Sequence, residues 1–159
     1  MTDERPTTAG VHFPPPFVFV AAFLVGMVLD RWAMELRFGD RGRPVFLVAG
    51  WLLIALGLGV MLWAIWTFTR ARTSVLPFRP ATAMVTSGPY GFSRNPMYLG
   101  LTLLYVGLSL LTAMVWPLVV LPLAVWALTA LVIRREERYL GAEFGAEYAA
   151  YRERVRRWL

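Results

Sequence analysis

The spacing of charged side chains constrains this chain more than any other feature of its sequence. Residues 44–69 form a stretch of 26 residues without a charge, and residues 95–133 form a second stretch of 39. At about 1.5 Å per residue, a helix over residues 44–69 exceeds the thickness of a hydrocarbon core of about 30 Å. The mean hydropathy is +0.56, and only 16% of residues are charged. These features exclude a disordered chain and indicate an integral membrane protein.

The longer charge-free stretch fits two helices better than one. Its Trp116-Pro117 pair lies near the middle, and proline is favoured in the first turn of a helix but not in its interior. We therefore expect a tight hairpin of two spans, residues 95–115 and 117–133. A longer span over residues 44–69 precedes this hairpin.

The apolar stretch nearest the N-terminus is shorter. Residues 17–29 are followed by Asp30 and preceded by three prolines, which support a helix poorly. We expect a short spanning or half-inserted helix within residues 13–30; a signal peptide is the alternative, although no basic segment precedes it and no small-residue cleavage site follows. The predicted fold is thus an all-α, polytopic integral membrane protein, a single domain over residues 1–159 with about four transmembrane helices.

The placement of arginines predicts the orientation in the membrane. The connector, residues 70–94, holds four arginines and no acidic residue, and the tail beyond residue 133 holds seven arginines and five glutamates. With four spans these two segments share one side, which their positive charge makes cytoplasmic. Apolar tail residues recur every three or four positions, which predicts an amphipathic helix over residues 134–158 that lies on lipid or roofs a site. The chain has no lysine, and this arginine bias favours a bacterial inner membrane.

Several classes of site and partner are excluded by composition. The chain has no cysteine and one histidine, His12, so thiolate or histidine metal clusters, a cysteine nucleophile and a Ser-His-Asp triad are all absent. We expect no metal. Because the arginines are dispersed and mixed with glutamates, we also expect no nucleic-acid partner. The sequence leaves the oligomeric state open.

Two polar clusters exceed what a membrane anchor needs. The first is the glycine- and proline-rich elbow, residues 87–100, in which Arg94 and Asn95 stand at a helix entrance that favours an anion. A structural role of Asn95 as an N-cap is the alternative. The second is the acidic pair Glu136 and Glu137 beyond the hairpin, either neutralised by neighbouring arginines or turned inward to a cationic or hydroxyl-bearing ligand. The hairpin returns this pair to the membrane face of the elbow, so we expect the two clusters to meet.

The motifs in these clusters resemble a known superfamily, the isoprenylcysteine carboxyl methyltransferases and phospholipid methyltransferases. The resemblance covers nearly half of the chain and includes the order and spacing of the motifs. They are Val85-Thr86-Ser87-Gly88-Pro89-Tyr90, Arg94-Asn95-Pro96-Met97-Tyr98-Leu99-Gly100, Glu136-Glu137, and Phe144-Gly145 with Tyr148, Tyr151, Val155 and Arg157.

The resemblance implies a membrane enzyme that uses S-adenosylmethionine. Catalytic roles would go to Glu136, Glu137 and Arg94, and contacts with the methyl acceptor to Arg134 and Tyr148. The implied cofactor-binding residues lie in the connector, in the elbow and at the acidic pair: Thr82, Ala83, Met84, Val85, Tyr90, Asn95, Pro96, Met97, Tyr98 and Glu136.

Two positions depart from the carboxyl methyltransferases of that superfamily. Asn95 stands where they usually have histidine, and it keeps a donor and an acceptor but does not titrate. Val132 stands where they have a substrate-recognising arginine, which puts a prenylcysteine carboxylate in doubt as the acceptor.

The sequence therefore predicts a membrane methyltransferase acting on a lipophilic acceptor: a phospholipid amine, a lipid carboxylate or a small thiol. One alternative is an NADPH-dependent membrane oxidoreductase like the sterol reductases, which share a similar hairpin and tail but need many more spans. The other is a small membrane protein without catalytic activity.

Overall fold

The structure is a computed structural model that describes residues 14–33, 35–39, 42–72 and 83–159. The described residues are almost entirely helical, which confirms the predicted all-α class. Within the described residues there are five α-helices, with a short 3₁₀ turn after the second and a π-helical turn after the fourth. They are α1 (Pro16–Trp32), α2 (Arg43–Arg70), the 3₁₀ turn (Gly88–Gly91), α3 (Pro96–Leu111), α4 (Trp116–Leu128), the π turn (Thr129–Ile133) and α5 (Arg134–Arg154).

Helix α2 presents most of its surface to the outside of the protein. Only 11% of its most apolar window is buried, and large apolar side chains such as Trp51, Leu52 and Leu62 are more than 60% exposed. Contiguous apolar surface of this extent is stable against lipid tails but not against water. Within the described residues, α2 and the continuous helix that begins at Trp116 are the two that are long and apolar enough to cross a membrane. Helix α3 is apolar but shorter.

The helices pack as α2 along α3 and α1 along α4. Glycines on both α2 and α3 let the first pair approach closely. A Cβ atom on Gly57 would lie 2.7 Å from the carbonyl oxygen of Gly100, and one on Gly107 would lie 2.7 Å from that of Gly50. In a membrane the hydrophobic effect does not drive helices together, because lipid tails are as apolar as the side chains. Small residues stabilise helix pairs there by letting the backbones pack closely.

The turn between α3 and α4 lies next to Pro117, as the sequence predicted. Helix α3 ends at Leu111, four residues before the predicted limit, and α4 begins at Trp116 with proline in its first turn. Between them, Ala113 adopts a left-handed φ of 56°. The loop after α1 docks on this turn through backbone hydrogen bonds from Val115 to Leu36 and from Phe38 to Ala113, both of 3.1 Å.

The tail is not the single helix predicted over residues 134–158. Helix α5 is broken at Gly145, whose φ of 51° and ψ of −120° are not helical, and it ends at Arg154. The prediction was wrong here because the apolar residues keep a helical spacing on both sides of Gly145, although the backbone bends at that glycine. Beyond the bend, Tyr148, Tyr151 and Val155 are buried against Met84 of the connector. This apolar stripe therefore packs on protein rather than on lipid.

Candidate active site

The elbow is built by a left-handed glycine and a proline-started helix. Gly88 has a φ of 59° and opens the 3₁₀ turn, and Pro96 occupies the first turn of α3. Asn95 stands at the N-cap position, but its side chain makes no capping hydrogen bond. Its Nδ2 instead donates to the carbonyl oxygen of Arg157, at 2.9 Å. The capping interpretation of Asn95 is thus wrong, because the side chain is used for a long-range contact.

The C-terminal residues lie across the elbow and hold it through their backbone. The amide of Arg94 donates to the carbonyl oxygen of Arg156 at 3.0 Å, alongside the bond from Asn95. Nearby, the hydroxyl of Tyr151 donates to the carbonyl oxygen of Tyr90 at 2.8 Å. The end of the chain therefore forms one wall of the site.

The two polar clusters meet through Glu136. The Tyr98 hydroxyl donates to Glu136 Oε1 at 2.6 Å, which links α3 to the first turn of α5. Burial raises the pKa of Glu136 to about 7; the hydrogen bond from Tyr98 opposes this rise and the charge of Glu137 adds to it. The carboxyl group of Glu136 is therefore expected to change its protonation state near neutral pH.

The neighbouring Glu137 has a different environment. The Arg157 side chain grips it with two hydrogen bonds, from Nε at 2.8 Å and from Nη2 at 2.7 Å. Arg94 Nη2 lies 3.3 Å from its Oε1. Charge-assisted bidentate pairs of this kind are stronger and more directional than hydrogen bonds between neutral groups. Glu137 thus joins the C-terminal wall to the elbow, while Glu136 accepts a hydrogen bond from a neutral donor, the Tyr98 hydroxyl.

Three buried polar atoms around these residues have no hydrogen-bond partner within the described part of the chain: Tyr90 Oη, Arg94 Nε and Arg94 Nη1. Burial, Tyr151 and Glu136 raise the pKa of the Tyr90 hydroxyl, so it stays protonated and able to donate. Leaving a buried donor unpaired costs about 1–3 kcal/mol, and more when it is charged. The site therefore fits a polar ligand that would satisfy these groups.

The predicted site residues fall into two groups. The structure brings together Tyr90, Arg94, Asn95, Tyr98, Glu136, Glu137 and Tyr148. Arg134 is exposed at the start of α5, and Ala83, Val85 and Met97 are half-buried with apolar side chains. Pro96 is buried in the first turn of α3, and Met84 packs on the aromatic residues of the tail. Thr82 lies outside the described residues.

Arg157 belongs to the motifs that resemble the superfamily, but no role was predicted for it; the structure makes it the main partner of Glu137. Charge alone does not distinguish it among the seven arginines of the tail, whereas its place in the motif does. Val132 is fully buried in the core beside Leu128 and Ile133. Its environment is apolar, so no cation lies at the position where the carboxyl methyltransferases have one.

Among the described residues, no group of three or more histidine, aspartate, glutamate or cysteine side chains could hold a metal ion.

A family model described as phospholipid methyltransferase matches residues 45–147, which include both Arg94 and the acidic pair. The chain belongs to the phospholipid methyltransferase family. This membership confirms the superfamily predicted from the motifs.

Two curated relatives share 32% identity with the chain. One is the cobalt-zinc-cadmium resistance protein CzcN of Cupriavidus metallidurans, aligned over 86% of this chain and 58% of its own length. The other is the protein-S-isoprenylcysteine O-methyltransferase of Saccharomyces cerevisiae, aligned over 68% of this chain and 46% of its own length. The chain thus spans about half the length of these relatives. No solved structure matches it significantly.

Proposed function

We propose that this protein is an integral membrane methyltransferase that transfers a methyl group from S-adenosylmethionine to a lipophilic acceptor. The acceptor is a phospholipid amine, a lipid carboxylate or a small thiol. The observation that carries the proposal is the 2.6 Å hydrogen bond between Tyr98 and Glu136, because it joins the elbow to the acidic pair in a chain of this family.

The groups around this hydrogen bond suit such a cofactor. A Glu136 carboxylate would bind a hydroxyl or ammonium group, and the free donors of Tyr90 and Arg94 would bind oxygen atoms. S-adenosylmethionine carries all of these groups. When bound, it supplies an electrophilic methyl group on a positively charged sulfur, which becomes a neutral thioether once the methyl group has moved to the acceptor's lone pair.

The protein's share of this reaction is to orient the reactants and exclude water. Pro89, Tyr90 and Pro96 of the elbow are buried, and Tyr148 and Tyr151 of the tail cover the same region. The polar side chains of the site are therefore largely shielded from water. There, an ion pair or hydrogen bond to a ligand is stronger than it would be in water.

An amine acceptor must lose a proton, and Glu136 can take it in the arrangement in which the cofactor engages this carboxylate through a hydroxyl and not through its ammonium group. The Glu136 pKa of about 7 lies near working pH, where a general base is most effective. Glu137 is less suited to this role because Arg94 and Arg157 already contact its two carboxylate oxygens. A carboxylate or thiolate acceptor would need no base.

The proposed membrane arrangement has four spans, centred on α1, α2, α3 and the continuous helix that begins at Trp116. The connector and tail would lie on the cytoplasmic side. The acceptor would arrive laterally from the lipid, whereas the cofactor would enter from the cytoplasm. This arrangement gives a physical reason for a methyltransferase to be embedded in a bilayer.

The experiment that tests the proposal combines binding with product detection. The detergent-purified protein is titrated with S-adenosylmethionine by calorimetry, then placed in nanodiscs made from a bacterial lipid extract and given methyl-labelled cofactor. We expect saturable binding and label in the organic phase. Both should be lost in the double variant Glu136→Ala with Tyr98→Ala.

The matched control is Glu143→Gln, an exposed glutamate on the same helix, which should keep both signals. Absence of cofactor binding to the intact protein, together with thermal stabilisation by NADPH, would replace the proposal by the oxidoreductase alternative. Binding that survives the double variant would show that the site has been assigned to the wrong residues.

A further inference from the structure

A groove lies between the end of α2 and the start of the elbow. It has a volume of about 290 Å³ and is lined mainly by polar and aromatic residues. They are Trp63, Trp66, Thr67 and Arg70 of α2 and Ser87 and Gly88 of the elbow. None of these residues belongs to the polar cluster around Glu136, so the groove is separate from the candidate active site.

Arg70 supplies the charge of this groove, and its guanidinium is held in place without being neutralised. Its Cζ lies 4.9 Å from the centroid of the Trp66 ring. Stacking on an aromatic ring uses the face of a guanidinium and leaves the N–H donors of its edge available. In the part of the chain that the structure describes, Arg70 pairs with no carboxylate. The connector, residues 70–94, contains no acidic residue either. The groove therefore presents an oriented positive charge that favours an anion.

The walls of the groove add neutral donors near this charge. Gly88 approaches α2 so closely that a Cβ on it would lie 2.8 Å from Thr67 Oγ1 and 3.2 Å from Trp63 Nε1. The indole N–H of Trp63 and the exposed hydroxyl of Ser87 therefore border the same space as the Arg70 guanidinium. One cation with several neutral donors suits an anion that carries several oxygen atoms, such as a phosphate group.

The outer face of α2 next to the groove is apolar and exposed. Leu58, Leu62 and Trp66 recur every four residues before Arg70, which places them along one side of the helix. Their exposed fractions are 47%, 66% and 54%. A cation at the end of a membrane-spanning helix, continued by an apolar stripe, matches a ligand with an anionic head and hydrocarbon tails. A water-soluble phosphate compound would leave the stripe uncovered.

We propose that this groove binds the phosphate group of one anionic phospholipid, whose acyl chains lie along the apolar stripe of α2. This lipid is distinct from the methyl acceptor, which reacts near Glu136. Because the groove is lined by both α2 and the elbow, the bound lipid bridges them. The ring of Phe68 on α2 also contacts that of Tyr90, with centroids 5.0 Å apart. The lipid therefore stabilises the elbow from the side opposite to α5 without taking part in methyl transfer.

The test compares two lipids with the same acyl chains, phosphatidylglycerol and diacylglycerol, which has no phosphate. The whole protein is purified in detergent, freed of lipid and titrated with each, and native mass spectrometry counts the bound lipid. For the unmodified protein we expect one phosphatidylglycerol to bind about ten- to a hundredfold more tightly than diacylglycerol, the range for a hydrogen bond to a charged group. This preference should fall by about tenfold or more in Arg70→Gln and be largely kept in Arg70→Lys.

The matched control is Arg138→Gln, which removes an exposed arginine from α5 and should leave the preference unchanged. Thermal unfolding provides a second measurement. Phosphatidylglycerol should raise the Tm of the unmodified protein more than diacylglycerol does, and this difference should be lost in Arg70→Gln, because a ligand stabilises the state that binds it.

Three results would overturn the proposal. The first is equal affinity of the unmodified protein for the two lipids. The second is an equal loss of preference in Arg70→Gln and Arg138→Gln, which would show that the whole basic surface attracts the lipid. The third is displacement of phosphatidylglycerol by glycerol 3-phosphate, which would assign the groove to a soluble phosphate compound. Each would leave the proposed methyltransferase function standing, since that function depends on other residues.

Discussion

The adjacent residues Glu136 and Glu137 have different environments because they contact different partners. Glu137 accepts two hydrogen bonds from Arg157, and Arg94 Nη2 lies 3.3 Å from its Oε1. Glu136 accepts a hydrogen bond from the Tyr98 hydroxyl, and burial raises its pKa to about 7. No local feature of the sequence separates the two residues. Their partners come from α3 and from the end of the chain, which lie far away in sequence.

The raised pKa of Glu136 predicts a pH dependence of cofactor binding. A cationic ligand requires the charged carboxylate, which is scarce below pH 7 in the free protein. The association constant for S-adenosylmethionine should therefore rise by up to about tenfold per pH unit from pH 5.5 to pH 7 and level off above it. Calorimetry in buffers of different ionisation enthalpy should also detect release of a proton on binding at pH 6.

The control for this pH dependence is Glu136→Gln, which should bind more weakly and with little change across the same range. The proposed role of Glu136 would be refuted by a wild-type affinity that falls as the pH rises, or by an unaltered profile in the variant.

A second residue-scale prediction concerns Tyr98. Its hydrogen bond lowers the pKa of Glu136, so Tyr98→Phe should raise that pKa further. The inflection of the binding profile should move to higher pH by about one to two units, since a lost hydrogen bond to a charged group is worth about 1.5–3 kcal/mol. The measurement is the same calorimetric series. A shift toward lower pH would contradict the assigned direction of the hydrogen bond.

At the scale of elements, the π turn sets the orientation of α5 and the glycine contacts set the distance between α2 and α3. The π turn, Thr129–Ile133, adds a residue just before α5 and so rotates everything after it by about 100° relative to a continuous α-helix. That rotation sets which side of α5 Glu136 occupies. The sequence of this segment is ordinary for an apolar helix, and for that reason the turn was not predicted.

The glycine contacts between α2 and α3 predict a loss of stability in Gly57→Ala. The added Cβ would meet the carbonyl oxygen of Gly100 at 2.7 Å, so the backbones must separate. We expect a loss of about 1–3 kcal/mol. Thermal unfolding in detergent, followed by circular dichroism, should show the lower Tm.

The matched control is Gly59→Ala on the same helix, where an added Cβ has no atom within 4 Å. This variant should be neutral or slightly stabilising, because alanine is the better helix former by about 1 kcal/mol. Equal Tm values for the two variants would show that close packing of α2 on α3 contributes nothing.

At the scale of the whole molecule, the two ends of the helical bundle have different chemistry. The end near α5 holds the elbow, the acidic pair and the C-terminal wall. The opposite end is closed by Arg37, which pairs with the buried carboxylate of Asp30 at 3.0 Å and donates to the carbonyl oxygen of Thr112 at 3.1 Å. This contact ties the loop after α1 to the turn between α3 and α4. The site is therefore confined to one face of the proposed membrane protein.

The proposed orientation predicts which residues are accessible from each side. The natural chain has no cysteine, so an introduced cysteine is the sole labelling position. In spheroplasts treated with a membrane-impermeant maleimide, Glu35→Cys should be labelled, because its side chain is 70% exposed on the end opposite the site. Glu143→Cys in the tail should be labelled only after lysis. The reverse pattern would invert the topology and place the site on the outer face.

The sequence by itself determined the helical class, the position of the hairpin break and the family. Each of these depends on local or repeated features: the absence of charge over membrane length, a proline that starts a helix, and motifs in a fixed order. Tertiary structure alone decided the contacts and burial of the site residues. The partner of Glu137, the raised pKa of Glu136, the long-range bond of Asn95 and the bend at Gly145 depend on which distant segments come into contact. Hydrogen bonding and burial act through space, and the sequence records only the order of residues along the chain.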